Sequence, residues 1–168
     1  MGVRTYTLRE SCIRIGKREP IGMETLYADL RALGAIFGIR ARAEAMIASL
    51  RARIAAIEER VRDVPVRPRI MYCDDCYTAN PPVSVGREGM TSLLMRLAGG
   101  ENIFDDVPDS YIRVNWEEVA RRDPQWIIVN YHRIPPEQTI RYLTGDPQLS
   151  HVEALRERRF IPLTYAEQ

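Results

Sequence analysis

Residues 115–129, NWEEVARRDPQWIIV, decide the fold because a helix start, a helix stop and a strand follow one another without a gap. Asn115 is a good helix N-cap, and the two glutamates after Trp116 lie in the first turn, where the helix dipole favours negative charge. Asp123-Pro124 ends the helix, since proline cannot continue it. The apolar run 126–129 is typical of a buried parallel strand. The segment therefore predicts a helix–strand unit of an α/β protein.

The same alternation of helix and strand extends on both sides of this unit. Apolar periodicity and turn residues predict further strands at 3–8, 69–72 and 160–163 and helices at 90–97, 137–143 and 152–158. Upstream, one helix opens at Met23 and ends near Gly38, and a second runs over 40–62 with an apolar stripe. We therefore expect an α/β fold in which a long connecting helix precedes a small parallel sheet flanked by helices.

Composition narrows the classes of function. The chain has 168 residues, about one domain, with 45% apolar residues and a net charge of +1. This charge gives no general attraction to nucleic acid or to an anionic membrane surface. No apolar run approaches the ~20 residues of a membrane-spanning helix. The first residues lack the apolar core of a signal peptide, so the chain as written is predicted to stay in the cytoplasm.

Two other segments carry a more specific pattern. Residues 80–89 read NPPVSVGREG, and residues 98–104 read AGGENIF. Together with the Asp-Pro stop and the long helix before them, they resemble the C-terminal lobe of the helical-backbone metal-chelate receptors. These are the periplasmic substrate-binding proteins of ABC importers for vitamin B12, haem or ferric siderophores. The resemblance covers about residues 22–165 and implies a periplasmic location for the family.

The resemblance implies a division of the chain into three parts. These are the last strand and loop of an N-terminal lobe at 1–21, connecting helices at 22–64, and a C-terminal α/β lobe at 65–168 that lacks the final helix. Receptors of this family close two lobes on the ligand. We therefore expect a partial or truncated form that binds its ligand weakly when alone and that self-associates through the exposed face where the other lobe belongs.

Ligand-facing positions also follow from the resemblance. Tyr111 matches a large aromatic that faces the ligand, whereas Val83 stands where vitamin B12-binding members have an aromatic. Arg87 can pair with a carboxylate or phosphate. Tyr131 and His132 follow a predicted strand, where ligands bind in α/β sheets. The full expected set is Tyr77, Asn80, Val83, Arg87, Tyr111, Tyr131 and His132, each with the alternative of an ordinary loop residue.

The resemblance assigns a second role to Glu117. Receptors of this family offer one glutamate per lobe to basic pockets on the membrane permease, and Glu117 matches the glutamate of the C-terminal lobe. A surface carboxylate there can pair with arginine in a bidentate manner. The alternative is a helix N-terminal charge without a partner.

The motif Cys73-Asp74-Asp75-Cys76 does not follow from the resemblance. Two cysteines at this spacing can be structural thiols or a disulfide, which we favour, a redox pair, or half of a metal site at Cys73 and Cys76. The chain has no dinucleotide, phosphate-loop or nucleophile-elbow motif, so we predict no cofactor and no enzyme activity. Two alternatives remain: an interaction module that dimerises through the 40–62 helix, and a thiol or metal protein.

Overall fold

The computed structural model describes residues 5–9, 21–74, 76, 81–130 and 134–163. The chain divides into two compact units, Met1–Arg60 and Val61–Gln168. The domain boundaries expected after residues 21 and 64 remain a prediction. No helix in the described ranges is both long enough and apolar enough to cross a membrane.

The first unit contains the two predicted helices, α1 (Met23–Ile36) and α2 (Arg40–Val61, whose last residue belongs to the second unit). The corner between them turns at Gly38, whose φ of +70° is one that other residues rarely adopt. The helices touch at Gly34, where an added Cβ would lie 2.6 Å from the Cβ of Ala43. A glycine is therefore required at the contact as well as at the corner.

The segment 5–9 is fastened to α1 by a buried carboxylate. Asp29 is only 3% exposed, and it accepts hydrogen bonds from the Tyr6 hydroxyl at 2.6 Å and from the Arg9 backbone N–H at 2.9 Å. Residues 5–8 form no strand, so this part of the strand predicted at 3–8 is not observed, while residues 3 and 4 lie outside the described ranges. The segment is bound through a helix side chain instead of through strand pairing.

The second unit contains the strands predicted at 69–72, 126–129 and 160–163 and the predicted helices, together with three short strands that were not predicted. In chain order its elements are β1 (Arg69–Cys73), β2 (Val83–Val85), α3 (Met90–Leu97), β3 (Glu101–Asn102), β4 (Tyr111–Arg113), α4 (Trp116–Arg122), β5 (Trp126–Asn130), α5 (Pro136–Gly145), α6 (Glu153–Arg156) and β6 (Phe160–Leu163). A 3-10 turn, Pro147–Leu149, precedes α6.

Four of the strands form a parallel sheet in the order β3-β1-β5-β6. Met71 of β1 pairs with Ile127 of β5, and neither residue is exposed to solvent. The main core lies where these strands meet the helices, and Leu143 and Val152 are also completely buried there. The predicted α/β class, a small parallel sheet flanked by helices, is confirmed.

A second, antiparallel pair of strands was not predicted. Val83 of β2 pairs with Arg113 of β4, and Val85 pairs with Tyr111. Local patterns do not reveal these strands, because each has only three residues and no turn motif joins them. The pairing depends on contacts between residues far apart in the chain.

Asn102 connects the sheet to this antiparallel pair. Its side chain is buried, and its Nδ2 donates to the carbonyl of Val85 at 2.9 Å and to Ser92 Oγ at 3.1 Å. Its Oδ1 accepts from the Phe104 N–H at 3.1 Å. One amide therefore joins β3 to β2, to α3 and to the turn that follows β3.

Arg122 fastens α4 to that turn. Its guanidinium donates to Asp106 and to the carbonyl of Ile103, and it lies 4.8 Å from the ring centroid of Phe104. Glu118 accepts from Arg122 Nε at 2.6 Å. These contacts fix the orientation of α4 relative to β3.

Replacing Asn102 with alanine is expected to lower the free energy of unfolding by about 3 kcal/mol, since it leaves the buried carbonyl of Val85 and the N–H of Phe104 without partners. Ser92→Ala removes one of these bonds and is the matched control, with an expected loss of about 1 kcal/mol. Urea unfolding measures both values. Equal losses in the two variants would contradict the central role of Asn102.

Glu118 is expected to make stability depend on acid pH. Hydrogen bonds from Arg121 and then Arg122 lower the pKa of Glu118 from 4.5 to about 2. A depressed pKa in the folded state stabilises the protein above the unfolded value, and this contribution is lost as the pH falls through 4.5 toward 2. Urea midpoints across this range should fall less in Glu118→Gln than in the wild type. Glu137→Gln, an exposed change on α5, should follow the wild type.

Candidate functional site

The carboxyl ends of β1 and β5 lie side by side and form the base of the candidate ligand site. Asn130 Nδ2 donates to Asp74 Oδ1 at 2.5 Å. Tyr72, two residues before Asp74, is 3% exposed. Burial raises the pKa of its hydroxyl strongly, and the charge of Asp74 and the nearby Tyr111 raise it further. The hydroxyl of Tyr72 therefore stays protonated next to a carboxylate and an amide.

The antiparallel pair β2–β4 borders this base. The backbone N–H of Asp74 donates to the carbonyl of Val83 at 3.0 Å, which joins β2 to the end of β1. Tyr111 begins β4 and is 55% exposed. Tyr111 pairs with Val85 of β2. The structure thus brings Val83 and Tyr111, two of the predicted ligand residues, to the carboxyl end of the sheet.

Arg87 lies on a loop whose backbone is fixed by hydrogen bonds. The N–H groups of Gly86, Arg87 and Glu88 donate to carbonyls of residues 107–110 at 2.9–3.2 Å. An added Cβ at Gly86 would lie 2.5 Å from the carbonyl oxygen of Asp109, so this close approach requires glycine. The backbone of the loop is therefore fixed, while the side chain of Arg87 is exposed.

The remaining predicted ligand residues, Tyr77, Asn80, Tyr131 and His132, lie outside the described residues, and their role stays a prediction. Sequence reasoning also overlooked Tyr72, Asp74 and Asn130. Their signal was positional, because each lies at or just after the end of a predicted strand, 69–72 or 126–129.

Cys73 and Cys76 are bonded to each other in a disulfide, with their Cα atoms 5.8 Å apart. Both residues are 1% exposed. The bond closes a small loop that contains Asp74, at the base of the candidate site. The described residues contain no cluster of three or more side chains that could hold a metal ion. The redox and metal alternatives remain predictions for the reduced chain.

The two glutamates at the start of α4, Glu117 and Glu118, have different surroundings. Glu118 accepts from Arg121 at 2.6 and 2.7 Å as well as from Arg122, and its N–H is capped by Asn115 Oδ1 at 2.7 Å. Glu117 is exposed, and within the described part of the chain its carboxylate makes no hydrogen bond or ion pair. Of the two glutamates, Glu117 therefore has the carboxylate that can receive a partner.

Comparison with known proteins identifies the class of protein. The family model of periplasmic binding proteins matches residues 2–165. A cobalamin-binding protein of Halobacterium salinarum is 35% identical over 100 residues, which make up 57% of this chain and 26% of that protein. The aligned region is therefore a minor part of this relative.

Solved structures show the same fold. A periplasmic binding protein of Veillonella parvula matches with a TM-score of 0.75 and 29% identity, over 86% of this chain and 50% of that one. A protein of an ABC-type Fe3+-hydroxamate transport system from Saccharomonospora viridis matches with a TM-score of 0.83 and 21% identity, over 94% of this chain and 53% of that one. The chain spans about half the length of these structures.

A haem-binding protein of Pseudomonas aeruginosa has a similar fold, with a TM-score of 0.73 and 21% identity, over 85% of this chain and 52% of that one. Members of the matching family are substrate-binding proteins of transport systems, not enzymes, and the family is periplasmic. Because the family model spans nearly the whole chain, this chain belongs to the periplasmic binding protein family, as the segments 80–89 and 98–104 had indicated.

Proposed function

We propose that this chain is a substrate-binding component, or one lobe of it, of an ABC importer for a metal chelate. The observation that carries the proposal is the family match over residues 2–165. Its relatives are named for cobalamin, Fe3+-hydroxamate and haem, which share a bulky metal chelate rather than one chemical structure. We propose that the protein acts in the periplasm, where it binds its ligand without catalysing a reaction.

The candidate ligand face fits such a molecule. Tyr111 offers a half-exposed aromatic ring, which provides a large contact area for a macrocycle or catecholate at low entropy cost. Arg87, whose side chain is exposed, can pair with a carboxylate or phosphate of the ligand. Val83, on the strand that pairs with β4, offers a smaller apolar surface. We propose that Tyr77, Asn80, Tyr131 and His132 complete this face.

Glu117 is the proposed contact with the permease. It is exposed on a helix that Arg122 holds in place, and the neighbouring Glu118 is fully engaged within the protein. An arginine of the partner can bind such a carboxylate with two parallel hydrogen bonds. The partner implied is therefore a membrane permease with a basic docking pocket.

The isolated chain is expected to bind haemin, cyanocobalamin or a ferric hydroxamate only in the micromolar range or weaker, because a two-lobed receptor gains affinity by closing both lobes on its ligand. Tyr111→Ala is expected to weaken the best of these about tenfold through loss of ring contact. Tyr142→Ala, a half-exposed tyrosine on α5, is the matched control. Absorbance and fluorescence titrations measure these affinities.

One result would contradict the expected weak binding, and another would contradict the proposed function. One is nanomolar binding by the isolated chain, which would mean that one lobe is sufficient. The other is the absence of binding for all three classes of chelate at the highest soluble concentration.

Self-association is a second proposal, favoured by apolar residues on the first unit. Within α2, Ala43 and Ile47 of the predicted stripe are buried, whereas Met46 and Ile57 are 48% and 43% exposed. Ile36 and Phe37 at the preceding corner are exposed as well. Apolar side chains exposed in this way can form a dimer contact.

Sedimentation velocity over a range of concentrations is expected to show a reversible dimer. The double variant Met46→Glu with Ile57→Glu should be monomeric, since it places charges on the exposed stripe. The exposed pair Arg53→Glu with Arg60→Glu tests whether any change of charge on α2 has this effect. A wild-type chain that stays monomeric at every concentration would exclude dimerisation.

A further inference from the structure

Asp74 places a carboxylate at the base of the candidate ligand site, just after β1 ends. Its side chain is half-buried, and its Oδ1 accepts a hydrogen bond from Asn130 Nδ2 at 2.5 Å. The hydroxyl of Tyr72 is hydrogen-bonded to the same carboxylate. Both partners are neutral groups, so their bonds orient the carboxylate without cancelling its charge.

The charge of Asp74 has no counter-ion in the part of the chain that the structure describes. No arginine, lysine or histidine of the described ranges forms an ion pair with this carboxylate. A half-buried carboxylate without a cationic partner is unfavourable, because solvent reaches it only in part. A cation that donates a hydrogen bond to a carboxylate binds it more strongly than a neutral donor does. The site therefore suits a cationic group that comes from outside the chain.

The carboxylate is held in place before any ligand arrives. Tyr72 and Asn130 are 3% and 6% exposed, so the groups that orient Asp74 are themselves buried. The backbone N–H of Asp74 donates to the carbonyl of Val83 at 3.0 Å, and the strand of Val83 pairs with β4, which begins at Tyr111. A group that is already ordered loses little conformational freedom on binding. Asp74 is thus a preformed acceptor at the strands that carry the proposed ligand face.

We infer that Asp74 determines the specificity of this site by selecting metal chelates that carry a positively charged group, such as a primary ammonium, which donates to its carboxylate. The inference rests on the proposed function, because it concerns the charge of the ligand bound at the same site. An anionic group at this position is repelled by the carboxylate. Arg87, on a separate loop, can hold an anionic part of the same ligand.

The test compares two ferric hydroxamates that differ by one charge. Ferrioxamine B carries a free primary ammonium, and acetylation of that amine removes the charge without altering the groups that bind iron. Equilibrium dialysis against the full 168-residue chain, with its disulfide intact, measures the dissociation constant of each form. The wild type is expected to bind ferrioxamine B about tenfold more tightly than the acetylated form. Added salt should reduce this preference, because it screens the ion pair.

Variants of the chain assign the preference to one side chain. Asp74→Asn removes the charge but keeps an oxygen that can accept from Asn130. It is expected to bind ferrioxamine B about tenfold more weakly and the acetylated form as the wild type does, so the preference disappears. Asp74→Glu keeps the charge and should retain part of the preference. Glu101→Gln, an exposed change at the start of β3, is the matched control and should keep the whole preference.

The remaining outcomes separate this inference from the proposed function. Equal affinity of the wild type for the two forms would overturn the inference without any variant, whereas binding of both would still support the proposed function. Equal weakening of both forms by Asp74→Asn would mean that Asp74 only supports the structure, and the inference would again be wrong. Binding of haemin or cyanocobalamin alone would refute the selection of a cation and leave the proposed function standing. Absence of binding for every chelate would overturn both.

Discussion

The buried amide of Asn102 holds together the parts of the second unit that carry the candidate ligand face. β3 has only two residues, so its backbone pairing with β1 is too short to organise the region alone. The side chain of Asn102 extends that connection to Val85 and to Ser92. Since β2 pairs with β4, the position of Tyr111 also depends on this amide through the strand Val83–Val85. A side chain remote from solvent thus determines where an exposed aromatic ring lies.

The two adjacent glutamates at the start of α4 differ in the hydrogen bonds that their carboxylates make. Two adjacent glutamates have the same chemistry, yet a helix directs adjacent side chains about 100° apart. Glu118 thereby reaches Arg121 and Arg122, and through Arg122 the helix is joined to Asp106 and Phe104. Glu117 points away from this network. Glu118 is used to hold the helix, whereas the carboxylate of Glu117 makes no hydrogen bond within the described part of the chain.

Local signals in the sequence predicted the helices and three of the four parallel strands, but not the two-residue strand β3. The cap at Asn115, the stop at Asp123 and the apolar run after it reproduce α4 and β5 to within one residue. Long-range contacts were missed. β2 and β4 became strands only because residues far apart meet. The spacing of Leu26, Leu30, Leu33 and Phe37 predicts one apolar helix face, yet Phe37 is 69% exposed. Asp29 is buried instead, because two donors from residues 5–9 satisfy its carboxylate.

The site shows the same division. Tyr111 and Glu117 are proposed through a family resemblance, whereas Tyr72 and Asn130 needed the order of the strands before their proximity could be recognised. The disulfide between Cys73 and Cys76 adds a dependence on environment. Disulfides persist in oxidising compartments and are rare where thiols are kept reduced. The loop that holds Asp74 is therefore covalently braced in the first setting and unbraced in the second, so the stiffness of the candidate site depends on where the chain is folded.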